Sequence, residues 1–257
     1  MEMRIDEVAF PSREEQPVII RGKLHTFDDG AKHALAVVCH PSSAGECDME
    51  HLLVREPCRL LNEAGFITLR LNFRGVGGSG GELSRGRYEP TDLLGALDFL
   101  EDRDDIDWRA VYTVGHSFGG TMALKVGTED PRVKGFAAMG CPIMLVSPID
   151  SFYFRHYEVE VQALRSSSKH KLFLWGELDG YAPKEKQESF AALVPDPKTV
   201  YTVKGANHFL SEGKRGRPDP KMALEAATTI ARQLSEWRDS DIWHSSLRTG
   251  ALDDRLR

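Results

Sequence analysis

At 257 residues, with 41% hydrophobic side chains and a formal net charge of −6, the chain has the size and composition of one α/β domain that can bury a substantial core. The acidic balance argues against a nucleic-acid partner, no apolar run is long enough to span a bilayer, and residues 1–7 lack the apolar stretch of a secretory signal. The four cysteines, Cys39, Cys47, Cys58 and Cys141, show neither C-x-x-C nor metal-ligand spacing, so they read as reduced thiols of a cytoplasmic protein that needs no metal and no cofactor.

In chain order, residues 18–25 read as an early antiparallel strand, and residues 34–39 (ALAVVC) as a short apolar strand of the kind buried on both faces of a parallel sheet. Residues 49–64 carry Leu52, Leu53, Cys58, Leu60 and Leu61 at helical spacing and stop at Gly65. A strand over 66–73 leads into a glycine-rich loop, 74–81, followed by a helix over 91–103. That loop lacks the Gly-Lys-Ser/Thr ending of a phosphate loop and the spacing of a dinucleotide fingerprint, so it reads as a tight structural loop in which Arg74 pairs with a carboxylate. Strands over 110–114, 133–139, 171–175 and 199–203 then alternate with helices beginning at 121, 184 and 221, and the polar residues 245–257 form a tail. The alternation predicts a mostly parallel central sheet with helices on both faces, in a single domain spanning 1–244.

The strand over 110–114 runs directly into Gly115-His116-Ser117-Phe118-Gly119 and then into a helix. G-x-S-x-G at a strand-to-helix turn lifts the serine hydroxyl above the sheet edge, and the helix behind it offers unpaired amides to a developing negative charge. Two other strand ends carry matching groups: Gly176-Glu177-Leu178-Asp179 after 171–175, and Ala206-Asn207-His208 after 199–203. In a parallel sheet these ends share one edge, which predicts that Ser117, Asp179 and His208 converge. A serine hydroxyl needs a base, a neutral imidazole supplies one, and a carboxylate fixes the tautomer of the imidazole. Glu177 and Asp150 compete with Asp179 for the acid's place, and His156, His170 and His244 compete with His208; none of these histidines closely follows a predicted strand.

With these pieces in place the chain resembles the α/β-hydrolase superfamily over nearly its whole length, and within it the small serine esterases and peptidases. The resemblance is carried by His40-Pro41 after a strand, by Asn72 to Ser79, by the Ser117 pentapeptide, by Gly176 to Asp179 and by Ala206 to Phe209. It implies an α/β-hydrolase fold with Ser117 as nucleophile, His208 as base and Asp179 as the group that orients it. It also implies an oxyanion hole built from the Phe118 amide and a second amide after His40-Pro41, at Ser42 or else Ser43. Under this reading His40 packs and hydrogen-bonds beneath the oxyanion loop, and His116 shapes the elbow or the pocket.

The insertion where these hydrolases carry a lid is short here, about 141–169, and rich in apolar and aromatic residues. It is expected to wall a pocket with Met144, Phe152 and Tyr153, joined by Ser43 and His116 as further substrate contacts. The expected activity is hydrolysis of a small or moderate carboxylic ester through an acyl-enzyme on Ser117. The alternatives are a serine peptidase or amidase with the same three residues, and a ligand-binding or signalling protein on the same fold. The expected partner is a small-molecule ester or amide, and the sequence specifies no oligomeric state.

Overall fold

The computed structural model describes residues 3–42, 47–143, 163–212 and 217–248. Within them lie eight strands, β1 (Met3–Pro11), β2 (Ile19–Phe27), β3 (His33–Cys39), β4 (Ile67–Asn72), β5 (Ile106–His116), β6 (Gly135–Met139), β7 (His170–Gly176) and β8 (Lys198–Val203). Five long helices accompany them: α1 (Leu52–Glu63), α2 (Glu89–Leu100), α3 (Phe118–Glu129), α4 (Lys184–Leu193) and α5 (Pro220–Arg248). The strands form one sheet in the order β1-β2-β4-β3-β5-β6-β7-β8. β1 and β2 pair antiparallel, β2 joins β4 antiparallel, and every later pair is parallel.

Side-chain alternation along the central strands sorts the core into two faces. On β3, Ala34, Ala36 and Val38 meet the α1 and α5 residues Leu53, Val54, Cys58, Ala226 and Ile230, while Leu35, Val37 and Cys39 meet Leu93 and Leu97 of α2 and Met122 of α3. Every residue of β3 is buried, which is why its sequence reads as a continuous apolar run. β4 departs from that rule. Ile67, Leu69 and Leu71 pack on the α2–α3 side, but Thr68 and Arg70 alternate with them and are also buried. Each has a polar contact there: Thr68 Oγ1 donates to Asn62 Oδ1 at 2.9 Å, and Arg70 Nη2 reaches Glu50 Oε1 at 3.2 Å, while Arg70 Nε has no hydrogen-bond partner among the described residues.

Two elements exceed their sequence reading. β1 was not expected, because only Phe10 of its nine residues is buried and no apolar face announces it; pairing with β2 along its full length makes it a strand. α5 runs past Trp237 to Arg248, into the residues read as tail. Tertiary contacts hold the extension: Trp237 stacks on His170 with ring centroids 5.1 Å apart, and Asp241 accepts from Tyr112 Oη at 2.7 Å and pairs with His170 Nε2 at 3.1 Å. Residues 249–257 lie outside the described residues.

The glycine-rich loop after β4 is fixed by polar contacts at the edge where the parallel strands end. Arg74 is buried against Asp92, with Nη2 2.6 Å from Oδ1, while its backbone N–H donates to Asp92 Oδ2 at 2.9 Å and Nη2 also reaches Glu14 at 3.1 Å. This is the structural pairing expected of Arg74. Removing one partner of a buried pair strands the other charge away from water. Asp92→Ala is therefore expected to lower unfolding free energy in urea by about 3–5 kcal/mol, and the double variant Arg74→Met/Asp92→Leu to recover part of that loss.

Candidate active site

β5 ends at His116, and Ser117 turns the chain into α3 with φ 53° and ψ −117°. Few non-glycine residues sit at positive φ, and holding one there costs on the order of 1–3 kcal/mol. Two backbone bonds enforce the turn: Ser117 N–H donates to Met139 O at 2.8 Å, and Thr121 N–H to Ser117 O at 3.0 Å. The reversal brings α3 so close to β3 that a Cβ on Gly119 would lie 2.4 Å from His40 O and 2.5 Å from Cys39 O. Backbone cannot yield to such a contact, so the glycine is a packing requirement.

Ser117 occupies the N-cap position of α3, yet its side chain makes no capping bond. Its Oγ lies 2.9 Å from His208 Nε2. The first amides of α3, beginning with Phe118, are thus not used by the cap and lie at the positive end of the helix dipole. The Phe118 ring is buried and packs edge-on against Phe73.

His208 follows β8 on a turn shaped by Asn207, whose Oδ1 accepts from Phe209 N at 2.8 Å and Ser211 Oγ at 3.1 Å. Its Nδ1 lies 3.0 Å from Asp179 Oδ2 and 3.1 Å from Oδ1. A carboxylate only accepts, so Nδ1 carries the ring proton and Nε2 presents a lone pair to the Ser117 hydroxyl. Asp179 is buried at the end of β7, on a loop tied to the His208 loop by Leu178 N–H to Ala206 O at 2.8 Å. Glu177 is exposed and accepts from Gly205 N at 2.9 Å, a solvated loop carboxylate as read from the sequence. His170 pairs with Asp241, at the start of β7 and so at the opposite edge of the sheet.

Two further histidines are buried here, and each has one tautomer. His40 Nε2 accepts from Phe73 N–H at 3.0 Å, which leaves Nδ1 to donate to Pro41 O at 2.6 Å. Burial lowers its pKa to about 4. The contact with Pro41 puts His40 directly beneath the loop that carries Ser42, which is half-buried. His116 Nε2 donates to the His208 carbonyl at 2.9 Å, and its Nδ1 has no hydrogen-bond partner among the described residues. Its pKa is driven well below the ordinary value, first by burial and then by the nearby His208. Among the expected substrate contacts, His116 is thus a buried brace between the elbow and the His208 loop. Ser43, Met144, Phe152 and Tyr153 lie outside the described residues, as do Asp150 and His156.

Two contributors were not singled out from sequence. Tyr181 N–H donates to Asp179 Oδ1 at 2.9 Å, and its ring packs on His208 with centroids 4.5 Å apart. Gln187, buried on α4, donates from Nε2 to Gly176 O at 3.1 Å and Ala182 O at 2.7 Å, clamping both ends of the loop that carries Asp179. The available signal is position, since Tyr181 stands two residues past Asp179 and Gln187 in the first turn of the following helix. Among the described residues no cluster of three or more His, Cys, Asp or Glu is arranged to hold a metal, and no helix is long and apolar enough to cross a membrane. Cys39 and Cys58 are buried free thiols, with burial pushing Cys58 up to about 12.

The strand order and the strained serine between β5 and α3 define an α/β-hydrolase. Solved structures share this fold: an α/β serine hydrolase homologue from Coxiella burnetii (TM-score 0.70, 22% identity, 89% of this chain and 97% of that one) and an α/β serine hydrolase without lid from Xanthomonas campestris (TM-score 0.69, 17% identity, 91% and 95%). An esterase of Pyrococcus furiosus superposes similarly, with TM-score 0.68 and 18% identity over 92% of this chain and 94% of that one. The chain belongs to the prolyl oligopeptidase family, whose sequence profile matches residues 54–186, about half its length. Curated relatives include an uncharacterised protein of Rickettsia prowazekii, 32% identical over 116 residues, and an uncharacterised 31.7 kDa protein from the traX-finO intergenic region of Escherichia coli, 34% identical over 109. The matches cover 45% and 40% of this chain, and only 48% and 35% of those proteins.

The neutral histidines give the fold a definite pH response. The unfolded chain takes up protons as pH falls below about 6.5, whereas folded His40 refuses one until about pH 4, and burial likewise holds folded His116 neutral well below its ordinary range. The unfolded state therefore binds more protons in this window, and stability falls as pH falls through it. Each residue is expected to steepen the decline by up to about 1.4 kcal/mol per pH unit, read as the shift of the urea midpoint between pH 7 and pH 4.

Proposed function

We propose that this chain is a serine hydrolase of carboxylic esters, with Ser117 as nucleophile, His208 as general base and acid, and Asp179 as its orienting carboxylate. The observation that carries this reading is the continuous line Ser117 Oγ, His208 Nε2, His208 Nδ1, Asp179 Oδ2, with contacts of 2.9 and 3.0 Å. His208 takes the Oγ proton as Oγ bonds to the ester carbonyl carbon. The carbonyl oxygen becomes an oxyanion, received by the Phe118 amide and by a second amide at Ser42 or Ser43. The C–O bond to the leaving group then breaks, and His208 returns its proton to the departing alcohol. Water, deprotonated by His208, attacks the acyl-enzyme, and the carboxylic acid leaves as Oγ regains its proton. The cap at about 141–169, with Met144, Phe152 and Tyr153, is proposed to wall the acyl pocket. The substrate is a small or moderate ester in a cytoplasmic setting.

Membership of the prolyl oligopeptidase family favours a second reading, a serine peptidase using the same residues. Turnover of short-chain esters but not of aminoacyl and prolyl amides supports the esterase reading, and the reverse preference replaces it.

A fluorophosphonate probe is expected to label the protein, and Ser117→Ala to abolish labelling; labelling that survives the substitution moves the nucleophile elsewhere. Asp179→Asn keeps the shape but not the charge that fixes the His208 tautomer, and is expected to lower kcat for an ester on the order of 10⁴-fold. A loss below tenfold in steady-state assays would assign the acid to another residue.

A further inference from the structure

We propose that Phe209 and Tyr181 form an apolar subsite for the leaving group, and that the preferred substrates are therefore neutral esters of aromatic alcohols or phenols. This rests on the reading of Ser117 and His208 as nucleophile and base, and goes beyond it by naming the side of the substrate that is selected.

The argument starts from the proton. The imidazole that removes the Ser117 proton delivers it to the departing oxygen, so the leaving group must lie against the accessible side of His208. The surroundings of that ring divide cleanly by exposure. Asp179 holds Nδ1 and is buried, and His116 supports the backbone from beneath with ring centroids 5.3 Å away, also buried. Among the described residues, the two other ring neighbours are aromatic and reach the surface. Tyr181 is half-buried with its centroid 4.5 Å from that of His208, and Phe209 stands edge-on at 5.3 Å.

Phe209 is 41% exposed and belongs to none of the hydrophobic core clusters. Its backbone is positioned by Asn207 Oδ1, so the turn does not rely on the ring for its shape. A large apolar side chain is thus held beside the base with about two-fifths of its surface exposed. Leu178, 65% exposed, extends the same character on the adjoining acid loop. The carboxylate on that loop, Glu177, is engaged with the Gly205 amide. An apolar rim of this kind gains by covering itself with an uncharged ring, and aromatic pairs at such separations add about 0.5–1.5 kcal/mol beyond area burial.

Benzyl and ethyl esters of one acid separate this subsite from the acyl pocket, because the two alcohols have similar acidity and leave the same acyl-enzyme. Wild-type protein is expected to favour benzyl acetate over ethyl acetate by about tenfold in kcat/KM, the equivalent of an aromatic contact. Phe209→Ala should bring that ratio down several-fold, and Phe209→Tyr should preserve it. The butyrate-to-acetate ratio of the ethyl esters should be the same in wild type and Phe209→Ala. A benzyl-to-ethyl ratio that does not move in Phe209→Ala, or a butyrate-to-acetate ratio that moves with it, overturns the proposal. If Ser117-dependent fluorophosphonate labelling is intact when this happens, the leaving-group subsite alone has failed. If labelling is absent in wild type, the nucleophile reading has failed and takes the subsite with it.

Discussion

The reversal of the chain at Ser117 is the constraint on which the rest of the site depends. A serine at φ 53° and ψ −117° is unfavourable by itself, and it persists because neighbours on both sides leave no other path. On one side the Met139 carbonyl takes its amide; on the other, Gly119 lets α3 press against the backbone of Cys39 and His40. The same geometry turns the hydroxyl away from capping α3 and towards His208, so the strain, the uncapped helix and the serine–histidine contact have a common origin.

Around that turn, side chains bonded to backbone groups join the loops, helped by one backbone bond. The Asp179 loop is hung from the His208 loop through Leu178 and Ala206, and Gln187 closes it from α4. His116, the residue before the serine, grips the carbonyl of the histidine the serine faces. His40 bonds both Pro41, at the start of the loop after β3, and the first residue after β4. Both of these histidines work only as neutral rings with one assigned tautomer. Burial enforces that state, since a second ring proton would break the bond from Phe73 in one and find no acceptor in the other.

Fold and family make the chain an α/β-hydrolase of the prolyl oligopeptidase family, a group whose shared scaffold does not by itself choose between ester and amide. The aromatic pair beside His208 comes from the two loops that carry Asp179 and His208, so Tyr181 and Phe209 stand within one or two residues of the groups whose side chains meet there.

The sheet's central strands are legible in the sequence because the stretches 34–39 of β3, 110–114 of β5 and 172–175 of β7 are buried and almost wholly apolar; the pentapeptide and the two strand ends are legible because residue types at strand termini cannot be moved without leaving the shared edge. β1 is not, since a strand exposed along most of its length carries no period and exists only through its pairing with β2. Nor are Arg70 and Thr68, polar residues in a buried strand whose partners come from α1 and from the residues leading into it. By itself, then, the sequence determined the fold class and the convergence of Ser117, Asp179 and His208 on one sheet edge, because periodicity and position along the chain encode them. Only the tertiary structure decided the tautomers of His40 and His116, the clamp from Gln187 and the ring of Tyr181 on His208. Each of these is a contact between segments distant in the chain or on opposite sides of a loop, set by where the packed backbone brings them.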